Sequence, residues 1–172
     1  VMRAEEPQLA TTLVVTLGDY VVLSRWLFHA SATTGGRFDV GPFESESLSV
    51  HEVDERGCLK RIEVFAPENI GDAVVRLYEL YAERLAEGAA HDRAVVTAQM
   101  VSRLATRFET FDLDRFMSAF ASEVDVHDHR SVGYGVLHGL DSLLRSVRAI
   151  LELAEGFNRR IDDVLAVSDH AV

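Results

Sequence analysis

Between residues 11 and 29 the chain is dense in β-branched and aromatic side chains, with Thr11, Thr12, Val14, Val15, Val21, Val22 and Trp26, the composition of β-strand. Gly18-Asp19 interrupts this run and predicts a turn between two strands. A loop is expected at Gly35-Gly36. Further on, Leu48, Val50 and Glu52 alternate with Ser49, His51 and Val53, and Leu59, Arg61, Glu63 and Phe65 alternate with Lys60, Ile62 and Val64. These two period-two stretches flank Asp54-Glu55-Arg56-Gly57, where glycine supplies the positive φ of a tight hairpin. The first half therefore predicts a β-meander.

After Pro67 the apolar period lengthens to 3.6. Ile70, Val74, Leu77, Tyr78, Tyr81 and Leu85 form one stripe, while Asp72, Arg76, Glu79 and Glu83 lie elsewhere, which predicts an amphipathic helix stopping at Gly88. A second helix is expected from about Asp92, burying Val96, Val101, Leu104, Phe108 and Phe111. A short third helix carries Phe116, Met117 and Phe120. Glu123 to Arg130 reads as strand, Gly139 to Ala154 as helix through Leu140, Leu143, Leu144, Val147, Ile150 and Leu151, and Ile161 to Val172 as strand again.

Charge narrows the list of partners. The 172 residues hold 17 Lys+Arg against 28 Asp+Glu, a net charge of −11, the wrong sign for nucleic acid or an anionic membrane, both of which recruit positive surfaces. No apolar run approaches the ~18 residues of a membrane span. A lone Cys58 excludes an intramolecular disulfide and suits a reducing cytoplasm. The start, Val1-Met2-Arg3-Ala4-Glu5-Glu6, lacks the form of a signal peptide. Because it opens on valine, the chain reads as a piece of a longer protein with about one domain's worth of residues.

Two segments echo each other. Aligning Val14-Val15-Thr16-Leu17-Gly18-Asp19-Tyr20-Val21-Val22 with Val164-Leu165-Ala166-Val167-Ser168-Asp169-His170-Ala171-Val172 matches Val, Asp and Val outright, and the two segments lie 150 residues apart.

The order of helix, short helix, strand ending in Val126-His127-Asp128-His129-Arg130, glycine-flanked loop and helix opening at His138-Gly139-Leu140-Asp141 resembles the first half of a nuclear-transport-factor-2-like domain. That is the cone-shaped α+β fold of polyketide-cyclase-like (SnoaL-like) proteins and ketosteroid isomerase. The stretch from Leu17-Gly18-Asp19-Tyr20 to Arg25-Trp26, followed by a glycine loop and the Val53 to Ile62 hairpin, resembles the second half. The resemblance implies a curved antiparallel sheet with helices forming a cone, its half-domains in permuted order. The reversal fits either a tandem array cut mid-repeat or a circular permutant of one cone; in the tandem reading, which is preferred, residues 1–90 would be the second half of one cone and residues 91–172 the first half of the next. Such tandem modules resemble accessory parts of larger bacterial signalling proteins.

The same resemblance implies a general base at Asp128, since a pocket carboxylate with a pKa raised by desolvation transfers protons near neutral pH. His129 or Arg25 would help to bind an oxyanion. The rest of the isomerase pattern is missing, because Phe108 and Ser49 stand where it needs a tyrosine and a second acid. The cyclase pattern also lacks its pocket acid at Ser49, and the epoxide-hydrolase pattern has Leu27 two residues beyond Arg25 in place of an acid. Tyr20, Trp26 and Phe28, with Phe108 and Ser49, are the candidate lining for a small apolar ligand.

Read from the residues alone, Asp128 is also a strand-end carboxylate suited to pair with Arg130 or to cap the following loop. His127 and His129 should share a strand face with Asp125, but no third ligand for a metal is visible. Cys58 lacks a positioned base, Gly133-Tyr134-Gly135 lacks the setting of a phosphate loop, and no cofactor or metal is implied. The leading expectation is a non-catalytic ligand-binding or protein-interaction module that associates with itself through its sheet or by domain swapping. An isomerase or cyclase using Asp128 is the alternative.

Overall fold

The computed structural model describes residues 3–34, 41–105, 111–154 and Ser168. Its first strands are β1 (Arg3–Glu5), β2 (Gln8–Leu17), β3 (Val21–Ala30) and β4 (Ala32–Thr34). They are followed by β5 (Phe43–Val53) and β6 (Leu59–Phe65). A single 3-10 turn, Pro67–Asn69, leads into α1 (Ile70–Arg84) and α2 (Ala89–Leu104). Then come α3 (Leu113–Met117), the short strands β7 (Asp125–His127) and β8 (Val136–His138), and α4 (Leu140–Leu153). The fold is α+β.

The predicted meander forms an antiparallel sheet in the order β2-β3-β5-β6. Its turns follow local chemistry. Gly18 opens the β2–β3 turn at φ +56°, where a Cβ would meet Tyr81 at 3.1 Å, so both conformation and space favour glycine. In the β5–β6 hairpin, Asp54 Oδ1 accepts the backbone N–H groups of Arg56 and Cys58 at 2.9 and 2.8 Å, and Gly57 takes φ +74°. An aspartate side chain that mimics a backbone turn in this way fixes the hairpin locally.

Register assigns the faces. Leu17 pairs with Val21, Leu23 with Val50, and Leu48 with Phe65, and these side chains meet α1. Their core companions Leu77, Tyr78 and Leu80 are fully buried, so the space between sheet and helix is filled by packed side chains. Burial of Leu23, Leu48 and Leu77 stabilises the fold by about 2 kcal/mol each. Glu52 also lies on this face, buried at 2% exposure, with Lys60 Nζ at 2.7 Å, Arg84 Nη1 at 3.6 Å and Arg61 Nε at 3.7 Å. Arg76 of α1 adds a bond to Glu63 of β6 at 2.9 Å, so charge as well as packing joins the last strand to the helix.

Several expectations are corrected. α1 ends at Arg84, before Gly88, where Leu85 turns to extended backbone and its N–H bonds Ala82 O. α2 begins at Ala89, and its buried side is Ala94, Thr97, Ala98 and Val101, while Val96 is 62% exposed. Five residues of helix rotate Val96 about 140° from Val101, so both cannot face one core. Tyr20 sits in the turn before β3, with Arg84 over its ring at 4.3 Å. The strand expected from Glu123 to Arg130 shrinks to Asp125–His127; the Asp128 N–H still bonds Gly135 O at 2.8 Å, while its side chain takes the Tyr134 N–H of the loop beyond. Phe108, the Gly35-Gly36 loop and the strand expected over 161–172, apart from Ser168, lie outside the described residues.

Contacts divide the chain into one unit of residues 1–101 with 161–172 and a second of residues 102–160. In the first, the Tyr78 hydroxyl donates to Ser168 O at 2.6 Å. In the second, Asp112 caps α3 by accepting the Arg115 N–H at 2.9 Å, and Phe116 packs edge to face on Phe120. No described helix is long and apolar enough to cross a membrane.

Candidate functional site

The face of the sheet turned away from α1 carries Leu9, Thr11 and Leu13 from β2 and Val22, Ser24, Trp26 and Phe28 from β3. From β5 come Ser45, Ser47, Ser49 and His51, and from β6 Ile62 and Val64. None of these residues is Asp, Glu, Lys or Arg. Lys60, at the β6 bulge, sends its ammonium to Glu52 on the other face. In a chain with 45 such residues, 17 basic and 28 acidic, an uncharged surface of four strands is a distinct chemical region. Leu9, Leu13, Ile62 and Val64 are 59, 61, 45 and 60% exposed, so their apolar surface stands in water.

The middle of this face is polar but neutral. Ser49 Oγ lies 2.8 Å from His51 Nε2, and Ser24 Oγ lies 3.4 Å from the same nitrogen. Trp26 meets the imidazole edge to face at 5.3 Å. Ser24 and Ser49 are buried, and partial burial of the imidazole itself pushes the His51 pKa below its ordinary value. The Trp26 Nε1 atom is also buried and has no hydrogen-bond partner among the described residues.

The candidate residues thus separate. Trp26, Phe28 and Ser49 share the outer face, whereas Arg25 projects from the opposite face, where it pairs with Glu46. Tyr20 packs against the core at the end of the sheet. Ser49 points away from α1, because Leu48 and Val50 on either side of it take the core positions.

Asp128 and His129 belong to the second unit. The Asp128 side chain is only 7% exposed; Arg130 Nε and Nη2 donate to its two oxygens at 2.9 and 2.6 Å. The backbone N–H groups of Arg130 and Tyr134 add 3.1 and 3.0 Å bonds. These donors, the Arg130 side chain first among them, hold the carboxyl well below the usual carboxylate range. Gly133 presses against the same carboxylate, so close that a Cβ there would overlap it.

His129 stacks on His127 at 6.4 Å and 13°. Asp125 instead bonds His138 across the hairpin at 2.7 Å. Among the described residues no group of three His, Cys, Asp or Glu is placed to hold a metal. An open hollow of about 320 Å³ beside α2 is lined by Asp92, Arg93, Val96 and Thr97. All four come from one helix, so the hollow lacks the converging groups of a ligand site.

The sequence pattern marked Ser49 and His51 as neighbours on one strand face, but it missed Ser24 as their partner. That pairing depends on the β3–β5 register. Comparisons with protein-family models, with curated proteins and with solved structures return no match for this chain.

Proposed function

We propose that this chain is a non-catalytic interaction module that associates with a second copy of itself through the outer face of the β2-β3-β5-β6 sheet. The uncharged character of that face carries the reading. Two molecules of charge −11 repel, and they approach most readily where neither presents a charge. An apolar, self-complementary patch related by a two-fold axis removes Leu9, Leu13, Ile62 and Val64 from water in both copies at once.

The fold resemblance belongs to the same proposal. A four-stranded antiparallel meander backed by α1 supports a cone-like domain with permuted halves, and a place within a larger bacterial signalling protein follows from that resemblance alone. Catalysis by Asp128 is the weaker reading, because a carboxylate held ionised by Arg130 and two backbone N–H groups is a poor proton acceptor near neutral pH.

Sedimentation velocity of the 172-residue chain tests the association. A dimer is expected, with Leu13→Glu and Val64→Lys each giving a folded monomer by circular dichroism and Val132→Glu, in the second unit, leaving the dimer intact. A monomeric parent chain, or Leu13→Glu and Val64→Lys dimers as tight as the parent, would overturn the proposal.

A further inference from the structure

We infer that His51 makes this self-association proton-dependent: two copies join with the imidazole neutral and separate when it is protonated. The inference rests on the association reading above and concerns the regulation of the same face.

His51 lies on a central strand, with Val22 opposite it on β3 and Ile62 opposite it on β6. Among the described residues it also meets Ser24, Ser49 and Trp26. None of the side chains facing it from β3, β5 or β6 carries a carboxylate that could neutralise an imidazolium. The acids of these strands, Glu44, Glu46, Glu52 and Glu63, and the cations Arg25 and Arg61 project from the opposite face, and Lys60 at the bulge turns its ammonium to Glu52 there. Val64 completes the β6 side of the face and is likewise uncharged.

The two serine hydroxyls meet Nε2 and can serve it in either protonation state, so the difference lies in the charge: an imidazolium covered by a second apolar sheet is a buried charge without a counter-ion. Even uncovered, the site lowers the His51 pKa through burial, and covering it extends the same effect. A two-fold contact places His51 of both copies in the interface, so the proton acts twice.

Trp26 makes the effect observable. It is the only tryptophan in the chain and its ring touches the imidazole, so on protein dilute enough to be monomeric its fluorescence reports His51 protonation apart from assembly. The experiment measures the His51 midpoint by Trp26 fluorescence on dilute protein, then sedimentation at pH about 7.5 and at one unit below that midpoint, for the parent chain and His51→Gln. With only about a tenth of each copy competent at the lower pH, the dissociation constant should rise about 100-fold, while His51→Gln stays dimeric at both. A monomer at the higher pH would overturn this inference and the association reading together. A parent dimer equally tight at both pH values, or a His51→Gln dimer that loosens as the parent does, would overturn the inference alone.

Discussion

The indole of Trp26 meets the imidazole of His51 edge to face, with centroids 5.3 Å apart and planes at 80°. Protonated imidazole quenches a touching indole, and burial holds the His51 pKa below 6.5. Trp26 emission should therefore drop with a midpoint below pH 6.5 as the pH falls, with no step in His51→Gln. A step in the Gln variant of the same size would show that another group is responsible. The sign for stability follows: neutral His51 supports the fold fully above its ordinary pKa, and that support is lost as pH falls through the lower folded value.

Glu52 joins β5, β6 and α1 through Lys60, Arg61 and Arg84. Glu52→Gln should destabilise the chain by about 2 kcal/mol in urea unfolding near neutral pH. The Lys60 hydrogen bond keeps the Glu52 pKa below 4.5 in the folded state, so its contribution is complete above 4.5 and disappears as pH falls through the folded value. The gap between parent and variant should therefore narrow in acid, and a gap that widens there would contradict this assignment.

Asp128 organises the β7–β8 loop. Its carboxyl ¹³C shift should show no titration between pH 5 and 3, across the ordinary aspartate value of 3.8. Gly133→Ala, whose methyl would overlap that carboxylate, should restore titration near 3.8 by breaking the Arg130 clamp. An unchanged, still depressed midpoint in the alanine variant would show that the loop has room to yield.

Tyr78 is fully buried and donates to Ser168 O at 2.6 Å. Tyr78→Phe should cost about 1 kcal/mol in thermal or urea unfolding, and it should raise hydrogen exchange at the Ser168 amide. Leu77→Ala, one residue away in the same core, should cost about 3 kcal/mol through the cavity it leaves without that local exchange signature.

Local chemistry was readable in order. The Gly18 turn, the Asp54-Gly57 hairpin, the two period-two strands and the α1 stripe each depend on residues close in sequence, so pattern alone was enough to predict a β-meander followed by helices. The α2 expectation failed where it joined Val96 to Val101, because an apolar residue was counted without its helical phase. The pairing of Asp128 with Arg130 was also visible, since it spans two residues. Its second clamp, Gly133 and Tyr134, was not, because the loop that returns them to the carboxylate has no periodic signature.

What the sequence determined by itself was which residues share a strand face. Period two places Arg61, Glu63 and Phe65 together and Ile62 and Val64 together, whatever the fold. It does not say which set is covered. The usual expectation buries the aliphatic pair. The structure instead turns Arg61 and Glu63 toward α1, where Arg76 and Glu83 meet them, and leaves Ile62 and Val64 exposed. That choice belongs to tertiary packing, because the register β3 imposes on β5, and β5 on β6, is set by Leu23, Val50 and Leu48 closing on the helix. Once those three side chains face the core, His51, Ser49 and Trp26 must occupy the other side.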